Sequence, residues 1–258
     1  MQLNFKRYSD SGPALVMMHG LFGSLENLGG IARYLSEHYR VYSLDMRNHG
    51  ASPHADDMSL AAMAEDVAEF LVSESIDSAH LLGHSLGGKV MMELALSNPE
   101  RIDRVVVGDI APVDYGVPRH DDVFAGIESL DLSTLTKRSQ AEEVVAHYIQ
   151  EPAVRSFILK NLVRDSNGGY YWRINTPALK SNYPKLIGAN RDDTHFERPV
   201  LFIKGEHSDY LTNAHKGEVL KRFPKAQVKV ISGTGHWLHA EKPELFAKLT
   251  HNFLQGRA

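Results

Sequence analysis

The chain has 258 residues, 43% of them apolar and 23% charged, with a formal net charge of -4 and no cysteine. These values fit one globular α/β domain long enough to bury a large core, and they exclude disulfide scaffolds, thiolate metal sites and a cysteine nucleophile. The mild acidity, with no basic stripe interleaved with aromatics, leaves nucleic acid nothing to hold; the N-terminal MQLNFKRYSDSG lacks a signal-peptide core and no apolar run approaches the roughly 18 residues of a membrane span, so a soluble cytoplasmic protein is expected.

In chain order, β-type runs occur at 14–19 (ALVMMH), 40–45 (RVYSLD), 79–84 (AHLLGH), 104–109 (RVVVGD), 199–205 (PVLFIKG) and 226–233 (AQVKVISG). Helical patterns lie between most of them, at 28–37, at 59–75 with Ser59 as its cap, at 86–97, at 214–222, and at 243–254 opened by Pro243. Strands that are apolar on both faces and alternate with helices predict a mostly parallel sheet flanked by helices. The alternation stops between Pro112 and Pro199, where KRSQAEEVVAHYIQ and PAVRSFILKNLVR offer helical stretches, NGGYYWRIN follows them, and no buried parallel strand appears. Residues 1–112 and 199–258 are therefore read as the core, and 113–198 as a mainly helical lid over the carboxyl ends of the strands, where open α/β sheets bind ligands.

The stretch HLLGHSLGGKV (80–90) admits two chemistries. Starting at Gly83 it spells a phosphate-cradling loop, G-x-x-x-x-G-K, but Val90 stands where the Mg²⁺-ligating Ser or Thr of such a loop belongs. It also spells G-x-S-x-G, a serine on a tight strand-to-helix turn, with small Gly83 and Gly87 where neighbouring backbones crowd. That reading makes Ser85 a nucleophile at a helix N-terminus and the Leu86 N–H an oxyanion donor. Two further segments decide for it. HGLFGS (19–24) ends the first run where a second oxyanion donor belongs, the N–H of Leu21, and GTGHWLHAEKP places His236 after the last run, where the base of a Ser…Asp/Glu…His order is found.

Other residues carry milder expectations. In DMRNHGASP (45–53), Asp45 and Arg47 should brace neighbouring backbone. His236 and His239 lack the companions of a metal site, and no cofactor motif is present. Tyr170, Tyr171 and Trp172 are read as core of the insertion, whereas Phe22 and Trp237 adjoin the candidate site and are read as pocket residues. Lys89 is read as a snorkelling or paired lysine.

Taken together, HGLFGS, DMRNHGASP, GHSLGG, GDIAPVDY (108–115) and GHWLHAEKP resemble the α/β-hydrolase superfamily and, more narrowly, the bacterial YbfF-type esterases. The resemblance spans residues 19 to 243 and implies the α/β-hydrolase fold, Ser85 as nucleophile, His236 as base, and a small-molecule acyl ester or acyl-CoA thioester as substrate. It leaves two sources for the acid. Most of the superfamily draws it from KGEHSDY, offering Asp209 or Glu206, although the usual position, three residues after the glycine, is held by Ser208. The YbfF-like pattern takes it from the strand after the nucleophile helix, which gives Asp109. A carboxylate ending a buried strand needs a hydrogen-bonded partner, which favours Asp109, with Asp114 too far into the loop. A serine rather than an aspartate nucleophile disfavours dehalogenation; carbon-carbon hydrolysis, perhydrolysis and non-catalytic ligand binding stay open on the same site.

Overall fold

A computed structural model describes residues 1–257. The amino-terminal half carries β1 (Phe5–Arg7), β2 (Ala14–Met18), α1 (Gly29–Leu35), β3 (Arg40–Leu44), α2 (Leu60–Ser73), β4 (Ala79–His84), α3 (Leu86–Ser97) and β5 (Ile102–Gly108). The interval 113–198 holds α4 (Asp121–Glu128), α5 (Arg138–Val145), α6 (Pro152–Leu159), a hairpin of β6 (Leu162–Arg164) and β7 (Tyr170–Trp172), and α7 (Thr176–Ile187). The chain then returns through β8 (Val200–Gly205), α8 (Lys216–Arg222), β9 (Ala226–Ile231), α9 (Leu238–Glu241) and α10 (Pro243–Leu254).

Period-two burial on both faces of the strands builds the sheet. Val16, Met18, Leu81, Val105, Val107 and Phe202 face one apolar layer with α2 and α3. The intervening Leu15, Met17, Leu82, Val106, Leu201 and Ile203 face a second layer made with α1 and α10. The seven strands run in the order β1-β3-β2-β4-β5-β8-β9. All neighbours pair in parallel except β1, an antiparallel edge strand against β3. Its three residues are too short a run to show a period in the sequence. Ser59 caps α2 as expected, its hydroxyl accepting the Ala62 N–H at 3.2 Å.

Register positions the site. His84 lies opposite Gly108 at the carboxyl ends of β4 and β5, so the next residue on each strand, Ser85 and Asp109, leaves the sheet beside the other. The interval 113–198 packs above this edge, with Val123, Phe124, Ile127 and Leu179 continuous with the α2–α3 layer. The β6–β7 hairpin, whose second strand falls in NGGYYWRIN, interrupts an otherwise helical interval. Tyr170 and Trp172 pack on the core, but Tyr171 is 47% exposed and does not contribute to it.

Lys89 also departs from expectation. It neither snorkels nor pairs with a carboxylate: at 1% exposure its ammonium donates to Val113 O at 2.7 Å, to Ile187 O at 3.2 Å and to Gly188 O. One lysine on α3 thereby ties the start of the 113–198 interval and the end of α7 to the core, and burial pulls its pKa down to about 7.

Candidate active site

Ser85 sits between the last residue of β4 and the first of α3, with φ 53° and ψ -123°, a conformation rarely adopted by a residue with a side chain. The turn closes tightly around it. A Cβ on Gly83 would lie 2.2 Å from Gly87 O, and one on Gly87 would lie 2.4 Å from Met18 O, so both positions require glycine. The Ser85 N–H is held by Gly108 O at 2.8 Å, and the side chain is half-buried at the floor of a cavity.

Asp109 likewise has positive φ, 50°, and is fully buried. Its Oδ1 accepts the Gly205 N–H at 3.1 Å, and its Oδ2 accepts the Ser208 hydroxyl. The imidazole of His236 lies between this carboxylate and the serine: Nδ1–H donates to Asp109 Oδ2 at 2.7 Å, which leaves Nε2 as the acceptor 2.9 Å from Ser85 Oγ. Tyr210 stacks on the imidazole at 4.0 Å, and His84 Nε2–H holds the His236 carbonyl at 2.9 Å. Burial keeps the His84 pKa well below the ordinary histidine value, so His84 is a neutral strut.

The competing acids lie elsewhere. Asp209 faces out, 73% exposed, in a 2.7 Å ion pair with Arg119; Glu206 accepts the Gly233 N–H at 2.7 Å, and Asp114 the Gly116 N–H at 2.8 Å. Ser208, at the position where most of the superfamily carries its acid, contributes a hydroxyl to Asp109 instead.

The loop after β2 carries Leu21. A turn closed by Gly23 N–H on Gly20 O at 3.0 Å shapes it, and the Leu21 N–H makes no hydrogen bond among the described residues. The Leu86 N–H, first of α3, has no partner within its helix. Leu21 and Leu86 flank Ser85 at the wall of one recess. Buried polar groups fix this loop. His19 accepts the Met46 N–H at 3.1 Å, and His49 accepts the N–H of Phe22 (φ 60°) at 3.1 Å. Asn161 donates to Phe22 O at 2.8 Å. The Asp45 carboxylate takes the N–H groups of Leu25 and Ala51 at 2.7 and 2.9 Å, and Arg47 grips Asp66 through two bonds of 2.6 and 2.8 Å. Asp45 braces backbone as expected, and so does Arg47, which donates to Asp57 O at 2.7 Å and Ala62 O at 2.9 Å; the part of His49 is one that its Asn-His-Gly setting after a strand does not reveal. Burial holds His49 neutral, with its pKa lowered to about 3.

Phe22 and Trp237 both line the cavity, which encloses about 700 Å³ with Phe157, Ile158, Val154 and Val123 as further apolar walls. Trp237 packs against Phe157 at 5.6 Å. Tyr170, Tyr171 and Trp172 do not border it. A second recess of about 40 Å³, lined by Leu21, Leu86, Ile110, Val117, Leu186 and Ile187, adjoins the cavity at Ser85. His239 packs on His84 with ring centroids 4.0 Å apart, so its place near His236 reflects packing.

Residues 13–243 match the alpha/beta hydrolase fold family. The chain belongs to that family. Among its relatives, Esterase YbfF of Escherichia coli (strain K12) is 41% identical over 240 residues, 93% of this chain and 92% of that protein. The sn-1-specific diacylglycerol lipase ABHD11 of Mus musculus is 34% identical over 249 residues, 94% of this chain and 81% of that protein. A solved structure described as a marine microorganism esterase superposes with a TM-score of 0.95 at 38% identity, covering 98% of this chain and 99% of the other. Within the α/β-hydrolase family the chain is an enzyme, a serine hydrolase.

Proposed function

We propose that this α/β-hydrolase cleaves carboxylic esters, thioesters such as acyl-CoA included, through an acyl-serine intermediate. One observation carries the reading: the His236 imidazole bridges Ser85 Oγ at 2.9 Å and Asp109 Oδ2 at 2.7 Å. As Ser85 Oγ attacks the carbonyl carbon, its proton passes to His236 Nε2, and the charge that develops on the imidazole is stabilised by Asp109. The carbonyl oxygen, now anionic, takes the N–H groups of Leu21 and Leu86, whose orientation needs no rearrangement at that moment. Collapse of the adduct expels the alcohol or thiol, protonated by His236, and leaves Ser85 acylated. Water, deprotonated by the same nitrogen, repeats the sequence and releases the acid.

The two spaces around Ser85 support an orientation for the substrate. The general acid has to reach the leaving atom, and His236 borders the large cavity but not the recess. The leaving group therefore occupies the cavity of about 700 Å³, and a short acyl chain fills the apolar recess of about 40 Å³. A panel of p-nitrophenyl esters from acetate to palmitate, run beside the matching acyl-CoA thioesters, tests both parts. Butyrate is expected to exceed palmitate in kcat/KM by about tenfold or more, because longer chains overfill the recess. A profile that is flat or rises toward palmitate contradicts the orientation; no turnover of any ester or thioester contradicts the reading.

A further inference from the structure

The cavity contains a cation that the reaction described above does not use. Of its basic residues, Arg119 is tied to Asp209 at 2.7 Å and Lys160 is exposed at the rim, but the guanidinium of Arg173 makes no hydrogen bond or ion pair among the described residues. Its Nε is sealed from solvent with no acceptor. The acids that also line the cavity, Glu26, Asp122, Glu151 and Glu241, are exposed, and none pairs with it. A charged donor group left without an acceptor is unfavourable, so the guanidinium is placed to take a partner in the cavity it lines.

The backbone of Arg173 is fixed toward the chemistry. Its N–H donates to Asn161 O at 2.8 Å, and the Asn161 side chain holds Phe22 O at 2.8 Å, in the loop that carries Leu21. The guanidinium charge reaches His19 at the start of the same loop, where, after burial, it helps lower the imidazole's basicity. A planar fork of donors in a half-buried wall suits a carboxylate or phosphate oxyanion, which it can bind through two parallel bonds.

We infer that Arg173 is a specificity-determining residue that recognises an oxyanion, carboxylate or phosphate, on the leaving-group part of the substrate, so that the preferred esters are anionic ones. This rests on the ester-hydrolase reading and deepens it. In wild-type enzyme, hydrolysis of 1-butyrylglycerol 3-phosphate is compared with that of 1-butyrylglycerol, and that of 3-butyrylglycerate with that of its amide, by release of butyrate. The first pair reads phosphate and the second carboxylate. Either anion is expected to raise kcat/KM over its neutral partner by about 10- to 100-fold, chiefly through KM. Arg173→Gln should collapse that ratio and Arg173→Lys should restore part of it. Ratios near one for both pairs in the wild type overturn the inference whatever the variants do, as does an unchanged ratio in folded Arg173→Gln. Because the neutral esters report basal hydrolysis, loss of turnover on all four compounds points instead to failure of the ester-hydrolase reading.

Discussion

Asp109 and Asp209 stand close in the fold and are chemically identical, yet their surroundings differ. Asp109 is dry, fully buried and shared between the imidazole, the Gly205 N–H and the Ser208 hydroxyl, whereas Asp209 is an exposed partner of Arg119. Asp109→Asn should therefore lower kcat by about 10,000-fold, since the amide no longer enforces the Nδ1–H tautomer. Asp209→Asn disrupts a surface ion pair worth at most about 1 kcal/mol, and its kcat should stay within a few-fold of wild type. Steady-state kinetics of both variants decide the matter; equal losses, or the larger one at Asp209, contradict the assignment. Spacing left two acids open because it counts residues along one strand, while the imidazole finds its carboxylate across β5 and β8. Burial at the end of an apolar strand was the signal that favoured Asp109. Ser208 stands out in the sequence only as a residue where an acid is usual, and its role, like that of Arg173, is not legible there, since neither a hydroxyl's acceptor nor an arginine's lack of one leaves a trace in spacing.

At the scale of elements, α3 does two jobs. Its first turn presents the Leu86 N–H beside Ser85, and one turn further Lys89 fastens the start of the 113–198 interval and the end of α7 through Val113, Ile187 and Gly188. Lys89→Met fills the same volume but leaves those carbonyls without their donor, so a loss of about 2–4 kcal/mol in urea unfolding is expected, with faster proteolysis near residues 113–118 and 188–194. A variant as stable and as protease-resistant as wild type would show that the tie is dispensable. Most sheet and core helices were legible because apolar runs and their caps are local signals. The exceptions have physical causes. β1 is short and at the edge, the β6–β7 hairpin pairs only with itself, and the direction of a buried lysine depends on carbonyls about 25 and 100 residues away.

The whole molecule buries an unusual set of neutral imidazoles. Burial lowers the pKa of His49 and of His239 to about 3, from an ordinary 6.5, and depresses those of His19 and His84 as well. With folded-state values below unfolded ones, the unfolded chain binds protons that the native state refuses, so stability is full above about pH 6.5 and falls as pH drops toward the folded values. The urea midpoint should decline between about pH 7 and pH 5, a window in which ordinary carboxylates stay ionised in both states. A midpoint constant across that window contradicts neutral burial of these histidines. The same global packing brings Ser85, Asp109 and His236, separated by up to 151 positions in sequence, into one hydrogen-bonded line. Reaction with a fluorophosphonate, read by peptide mass spectrometry, tests that convergence most directly. One adduct on Ser85 is expected, absent in Ser85→Ala and formed far more slowly in His236→Ala; labelling unaffected by either substitution, or no labelling of folded wild-type protein, would contradict it.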